Sequence, residues 1–154
     1  MKRLLWFVLV CVSLTSSAWA QRDKEPTAKE IAARLAAIKL DESRAVRAGQ
    51  GPKKVQVTPV LAASIAGIKE LEEGRVIGVL DAQGNVHDVP NGTHHIFLKK
   101  VNDTWHAYAE SDGKIVAKRK RVTVEDADEV KKPEIEFNLR ITLTVGRVKV
   151  TIWW

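Results

Sequence analysis

The last twenty-one residues, Glu134 to Trp154, constrain this chain most. Ile135, Phe137, Leu139, Ile141, Leu143 and Val145 alternate with Glu134, Glu136, Asn138, Arg140, Thr142 and Thr144, and a period of two makes an extended strand apolar on one face and polar on the other. After Gly146 the alternation resumes as Val148, Val150, Ile152 and Trp154 against Arg147, Lys149, Thr151 and Trp153. An even loop at Val145-Gly146 sets Leu143 opposite Val148, Ile141 opposite Val150, Leu139 opposite Ile152 and Phe137 opposite Trp154. An odd loop would turn one strand's apolar set toward water. The pattern predicts a hairpin with its apolar faces aligned.

The other end of the chain reads as an export signal. Lys2-Arg3 is a short positive start, Leu4 to Leu14 an apolar stretch, and Ala18-Trp19-Ala20 a small-x-small cleavage site before Gln21. The apolar run is too short to span a bilayer. Cys11 lies inside it behind Val10, the wrong setting for a lipid-modified cysteine. Cleavage after residue 20 would remove Met1 and Cys11, each the sole residue of its type. The mature chain would then have no disulfide, thiolate metal site or cysteine nucleophile. Loss of Lys2 and Arg3 lowers the net charge from +6 to +4, a mild excess that suits solubility and does not by itself indicate nucleic-acid binding. What remains is one domain in size and long enough to fold without staples. A secreted or periplasmic location follows.

Three units are expected: a cleaved signal peptide at 1–20, a helical arm and linker at 21–54, and an antiparallel β domain at 55–154. Residues Gln21 to Pro26 read as a frayed terminus. Thr27-Ala28-Lys29-Glu30 has capping-box spacing, and Ile31, Leu35 and Ile38 follow on one face, so a helix is expected from Ala28 to about Lys39. Asp41 to Ala48 reads as a short second helix, with Gly49-Gln50-Gly51-Pro52 as a linker. Val55 to Val57 reads as a short strand, and Thr58-Pro59 as a cap leading Val60 to Ala66 into helical turns. Strands are expected at Arg75–Leu80, Asn85–Val89, Thr93–Val101, Thr104–Glu110 and Lys114–Val124, separated by turn residues such as Asn102-Asp103 and Asp112-Gly113. With the terminal hairpin this makes about seven strands. The fold class is mainly β, an antiparallel β-sandwich or partly closed barrel preceded by a helical arm.

Four groups of residues invite a functional reading. If Pro90-Asn91-Gly92 closes a hairpin, His87 faces His95, and the Asn102-Asp103 turn places His95 opposite Glu110. That His87-His95-Glu110 row has neighbouring Cβ spacings of about 5 Å, which suits a divalent metal such as zinc, although a solvated polar face accounts for the same residues. His106 falls opposite Lys99, outside the row. Lys118-Arg119-Lys120-Arg121 is a basic run whose members alternate between faces, either a weak polyanion clamp or a strand edge guarded by charge. Glu125-Asp126-Ala127-Asp128-Glu129 follows it, able to pair with the run but without the spacing of a calcium loop. Phe97, Trp105, Tyr108 and Trp153 are candidate partner-binding aromatics if exposed and core if buried, with Phe97 opposite Tyr108. Asn91-Gly92-Thr93 and Asn102-Asp103-Thr104 are glycan-acceptor triplets.

No catalytic pattern stands out. Ser64 and Ser111 lack a nucleophile-elbow context, and no glycine-rich phosphate loop opens a helix. The sequence thus reads as an exported, non-catalytic β-sandwich accessory domain that needs no cofactor and binds a protein or envelope component, without nucleic acid or stable membrane insertion. A metal-binding protein using His87, His95 and Glu110 is one alternative. The other is a small outer-membrane barrel, suggested by a last strand that ends in an aromatic residue.

Overall fold

The computed structural model describes residues 27–154 apart from positions 37, 66, 73, 85 and 137. The expected signal peptide, the expected frayed terminus and the expected pairing of Phe137 lie outside the described residues. The remainder is mainly β. Two antiparallel sheets, one of six strands and one of four, do not join into a closed barrel.

The six-stranded sheet is a meander of β1 (Val46–Gln50), β2 (Lys53–Pro59), β3 (Val76–Gln83), β4 (Gly92–Val101), β5 (Thr104–Ser111) and β6 (Lys114–Arg119), each hydrogen-bonded to the next. The β4–β5 register is the expected one, with His95 opposite Glu110, Phe97 opposite Tyr108 and Lys99 opposite His106. Its turn works because Asn102 and Asp103 both take positive φ, 47° and 60°, which Asn and Asp tolerate better than most residues. Asp112-Gly113 turns the chain in the same way between β5 and β6.

The smaller sheet runs in the order β7 (Val122–Asp126), β10 (Val148–Trp153), β9 (Arg140–Val145), β8 (Glu134–Glu136). The terminal hairpin forms with its apolar faces matched, yet its register lies two residues from the expected one. Val148 pairs with Val145, Val150 with Leu143 and Ile152 with Ile141. Gly146 is the reason, because it takes φ 58° as the first residue of a Gly146-Arg147 loop, a conformation that costs glycine little. A side chain there would also run into the Ile65 carbonyl. An even shift preserves the faces. Ile141, Leu143, Val150 and Ile152 are each at most 1% exposed and share one buried cluster with Val57, Leu80, Ile96 and Leu98 of the larger sheet.

Several elements depart from expectation for local physical reasons. Helix α1 (Ala28–Leu35) has the anticipated capping box, Glu30 accepting from the Thr27 N–H at 2.7 Å and Thr27 Oγ1 from the Glu30 N–H at 3.4 Å. It stops before Lys39 because the next residues pair with the chain around Pro59: the Asp41 N–H donates to the Pro59 carbonyl, and Leu40 bridges Val60. The expected second helix is a 3-10 turn, Glu42–Arg44, followed by β1. Gly49 to Pro52 is no linker; it closes the β1–β2 hairpin with Gly49 at φ 111° and Gly51 at φ 60°. Thr58 and Pro59 remain in β2, and the turn that follows is the 3-10 segment Ala62–Ser64, after which α2 spans Ile68–Glu72.

Where a strand is anticipated at 85–89, residues 86–89 form a tight turn in which Val86 and Val89 exchange backbone hydrogen bonds and His87 and Asp88 take positive φ. β3 occupies the place beside β4 instead. The expected Lys114–Val124 strand divides at Lys120-Arg121, where the chain passes from one sheet to the other. The long strand from Glu134 divides at Leu139, whose φ is 50° and whose side chain is only 3% exposed. Burial of about 2 kcal/mol for a leucine is enough to offset the left-handed backbone. These two divisions, the addition of β1 and β2 and the loss of 85–89 take the count from about seven strands to ten among the described residues.

Arg44 ties the turn at its own position to both sheets. Its Nε donates to Asp41 Oδ2 at 2.8 Å, one Nη to the Thr144 carbonyl at 2.8 Å and the Lys131 carbonyl at 3.1 Å, and the other Nη to the Val60 carbonyl at 3.2 Å. Replacing it strands three backbone acceptors, two of them half-buried or better. Arg44→Ala is expected to lower the unfolding free energy by about 3 kcal/mol in urea denaturation, and Arg44→Lys to recover less than half, since one ammonium cannot span that fork. Asp41 also carries a pH dependence. The Ser43 hydroxyl, and after it the Arg44 guanidinium, hold its carboxyl below the ordinary 3.8. A lowered folded-state value means the contribution is complete above that ordinary value and is lost as the pH falls through the lower one. Asp41→Asn should accordingly lower the neutral plateau of the stability curve and flatten its acid limb below about pH 4, so that variant and wild type converge in acid.

Candidate binding surfaces

The structure keeps two members of the His87-His95-Glu110 row together and separates the third. His95 Nδ1 lies 2.9 Å from Glu110 Oε2, and the Gly113 N–H donates to Glu110 Oε1. Glu110 is wholly buried, whereas the His95 side chain is 28% exposed. His87 is exposed in the 86–89 turn, where its carbonyl accepts from Arg119 at 3.0 Å. The row fails because Val79 of β3 is the neighbour of His95 on that side. Among the described residues no three His, Cys, Asp or Glu side chains converge as metal ligands. His94 is buried, its Nε2–H donating to the Pro90 carbonyl at 2.7 Å, and His106 is buried beside the Tyr108 ring.

The aromatic candidates divide in the same fashion. Phe97 and Tyr108 are at most 1% exposed and stack at 5.2 Å between ring centroids, with 11° between planes. They are core, not a strip open to a partner, because β4 and β5 are covered on both faces. Trp105 is half-buried under Lys100, which also pairs with Glu72 at 3.2 Å. Three members of the basic run sit on rings: Lys118 on Tyr108 at 5.5 Å, Arg119 on Trp154 at 5.6 Å and Arg121 on Trp153 at 4.7 Å. Each such contact contributes about 0.5–1 kcal/mol where exposed. Lys120 is exposed. The acidic segment, which begins within β7, pairs elsewhere, Glu125 with Lys149 at 3.5 Å and Glu129 with Lys131 at 2.9 Å, around a groove of about 320 Å³ also lined by Thr142 and Thr144.

One concavity is a feature that motif reading missed. A groove of about 740 Å³ crosses the first four strands. Its geometry follows from register. Arg47, Gln56, Asp81 and Thr93 pair across β1 to β4, and Gly49, Lys54 and Gln83 form the next same-face row, two residues along each strand. Between the rows, Ala48, Val55 and Ala82 point their side chains the other way and Gly92 has none, so backbone makes the floor. Same-face rows stand about 7 Å apart, and four strands span about 14 Å. Glycine at 49 keeps one wall low.

The walls are held by their own hydrogen bonds. Arg47 Nε donates to Gln56 Oε1, Gln56 Nε2 to Thr58 Oγ1 at 3.4 Å, Thr93 Oγ1 to Asp81 Oδ1, and the Gly84 N–H to Asn91 Oδ1 at 3.2 Å. Gln56 is held through both of its polar atoms, whereas Arg47, Asp81 and Asn91 are each anchored through one. The other polar atoms, namely both Nη groups of Arg47, Oδ2 of Asp81 and Nδ2 of Asn91, have no protein partner among the described residues. The only sequence signal for this surface was the alternation of β2 and β3, whose polar members could not be placed beside those of β1 while residues 41–48 read as a helix.

The chain matches no protein-family model, no curated protein and no solved structure. The His95-Glu110 pair is expected to act in stability. His95→Ala leaves a buried carboxylate with the Gly113 N–H alone and should cost about 1–3 kcal/mol in urea denaturation. Glu110→Gln should cost less, because its one amide oxygen still accepts from the Gly113 N–H while its NH2 donates to Nδ1 of the other His95 tautomer.

Proposed function

We propose that this chain is an exported, non-catalytic β-sandwich binding module, and that the groove across β1 to β4 is where it holds a component of the cell envelope. One observation carries the reading: in the groove Arg47, Asp81 and Asn91 are each anchored on one atom and, among the described residues, unpartnered on another. Fixing rotamers before contact removes part of the entropy cost of binding. A volume of about 740 Å³ lies within the range of small-ligand sites. The export reading rests on residues 1–20, with their positive start, apolar stretch and Ala18-Trp19-Ala20.

The non-catalytic part of the reading is supported by where the serines point. Ser111 donates to the Thr93 carbonyl at 3.1 Å and Ser64 to the Leu61 carbonyl, so neither hydroxyl is set against a base. The surrounding fold suits a rigid platform, because the groove lies on paired strands instead of loops.

Retention of envelope polysaccharide and protein fractions on immobilised protein tests the proposal. Wild type should retain a fraction that Asp81→Ala releases, by at least tenfold in eluted amount, with the melting temperature unchanged within about 2 °C. Asp81 lies on a half-exposed sheet face, where substitutions stay within about 0.5 kcal/mol. Equal retention by wild type and Asp81→Ala would remove the groove from consideration.

A further inference from the structure

We infer that the groove selects a saccharide carrying an oxyanion, with Arg47 and Lys54 reading the anionic group and Asp81 and Asn91 the neighbouring hydroxyls. This rests on the binding role proposed for the groove and adds the chemistry of its occupant.

The charge layout comes first. Arg47 and Lys54 are diagonal neighbours on one face of the β1–β2 hairpin, both exposed, at about 7–8 Å between paired positions. Neither has a protein acceptor for its terminal nitrogens among the described residues. A guanidinium held at Nε presents its two Nη groups as a fork that matches two oxygens of a carboxylate, sulfate or phosphate. Arg47 lies two strands from the single carboxylate of Asp81 and Lys54 one strand from it, so the groove is positive at its β1–β2 end and hydroxyl-accepting at β3.

Three other occupants fit less well. A peptide added as a strand needs a free sheet edge, whereas this groove crosses the strands, and it offers no apolar pocket for alternate side chains. Single-stranded nucleic acid needs aromatic platforms, and no aromatic residue lines the groove. A neutral apolar ligand would find walls of amide, hydroxyl and charge. A short acidic oligosaccharide meets each feature: hydroxyls for Oδ2 of Asp81 and Nδ2 of Asn91, one anionic group for the Arg47-Lys54 end, and a length comparable with four strands.

Calorimetric titration of the exported chain with trigalacturonate, a neutral trisaccharide of matched length and the phosphorylated form of that trisaccharide tests this. Trigalacturonate should bind at least tenfold more tightly than the neutral sugar. Arg47→Ala should abolish that difference, Arg47→Lys restore part of it, and Asp81→Ala weaken both sugars alike. If the phosphorylated sugar binds and trigalacturonate does not, the oxyanion assignment stands and its source is phosphate. Equal affinity for neutral and charged sugars overturns the oxyanion assignment while leaving a saccharide groove. Binding of none of the three overturns the saccharide assignment, and the retention assay then decides separately whether the groove binds anything. Acidic-sugar binding that survives both Arg47→Ala and Lys54→Ala also overturns it, placing the interaction at other cations such as Lys120. Arg47 and Lys54 are exposed, and thermal melts of each variant verify that the fold is kept.

Discussion

The Arg44 guanidinium is the contact on which the mutual placement of the two sheets depends. It donates to backbone carbonyls at Val60, just past β2, and at Thr144 in β9, while Asp41 holds its Nε. Apolar burial alone is non-directional, so the shared core of Leu80, Ile96, Leu143 and Ile152 pulls the sheets together without fixing their offset. A planar five-donor fork supplies direction. Its side chain is only 11% exposed, so its charge is compensated by Asp41 and its donors by carbonyls that would otherwise lack partners.

The groove is a consequence of the same arrangement. The pairing of residues 39–41 with Pro59 to Leu61 and the Arg44 anchor bring the chain out of the Glu42–Arg44 turn directly into β1 beside β2. Without β1 there would be no Arg47 and no fourth strand to lengthen the polar row. The groove is therefore a property of the sheet's width, and its chemistry is that of residues facing one way along four registers.

At the far side of the molecule the passage from β6 to β7 brings a dense basic run against the two terminal tryptophans. Arg121 accepts the Trp153 N–H at its carbonyl while its guanidinium covers the Trp153 ring, and Arg119 covers Trp154. Cations that read in sequence as a surface for anions are in good part consumed internally, where they cover aromatic area and keep the edge strand β6 charged. The same holds for Phe97 and Tyr108, whose stack contributes to packing.

Local sequence by itself determined that the tail folds back with Ile141, Leu143, Val150 and Ile152 on one side, that Asn102-Asp103 sets His95 against Glu110, and that Thr27 to Glu30 opens a helix. These depend on neighbours within a few residues, through side-chain period, turn dihedrals and capping geometry. Only the tertiary structure decided that residues 46–50 are a strand, that β3 and not 85–89 lies beside β4, and that Lys114–Val124 serves two sheets. Helix and strand propensities at Asp41 to Ala48 differ by tenths of a kcal/mol per residue, whereas docking against β2 supplies a whole ladder of hydrogen bonds. The groove falls in the second class for the same reason: Arg47, Gln56, Asp81 and Thr93 are spread over forty-seven positions, and only strand register makes them neighbours.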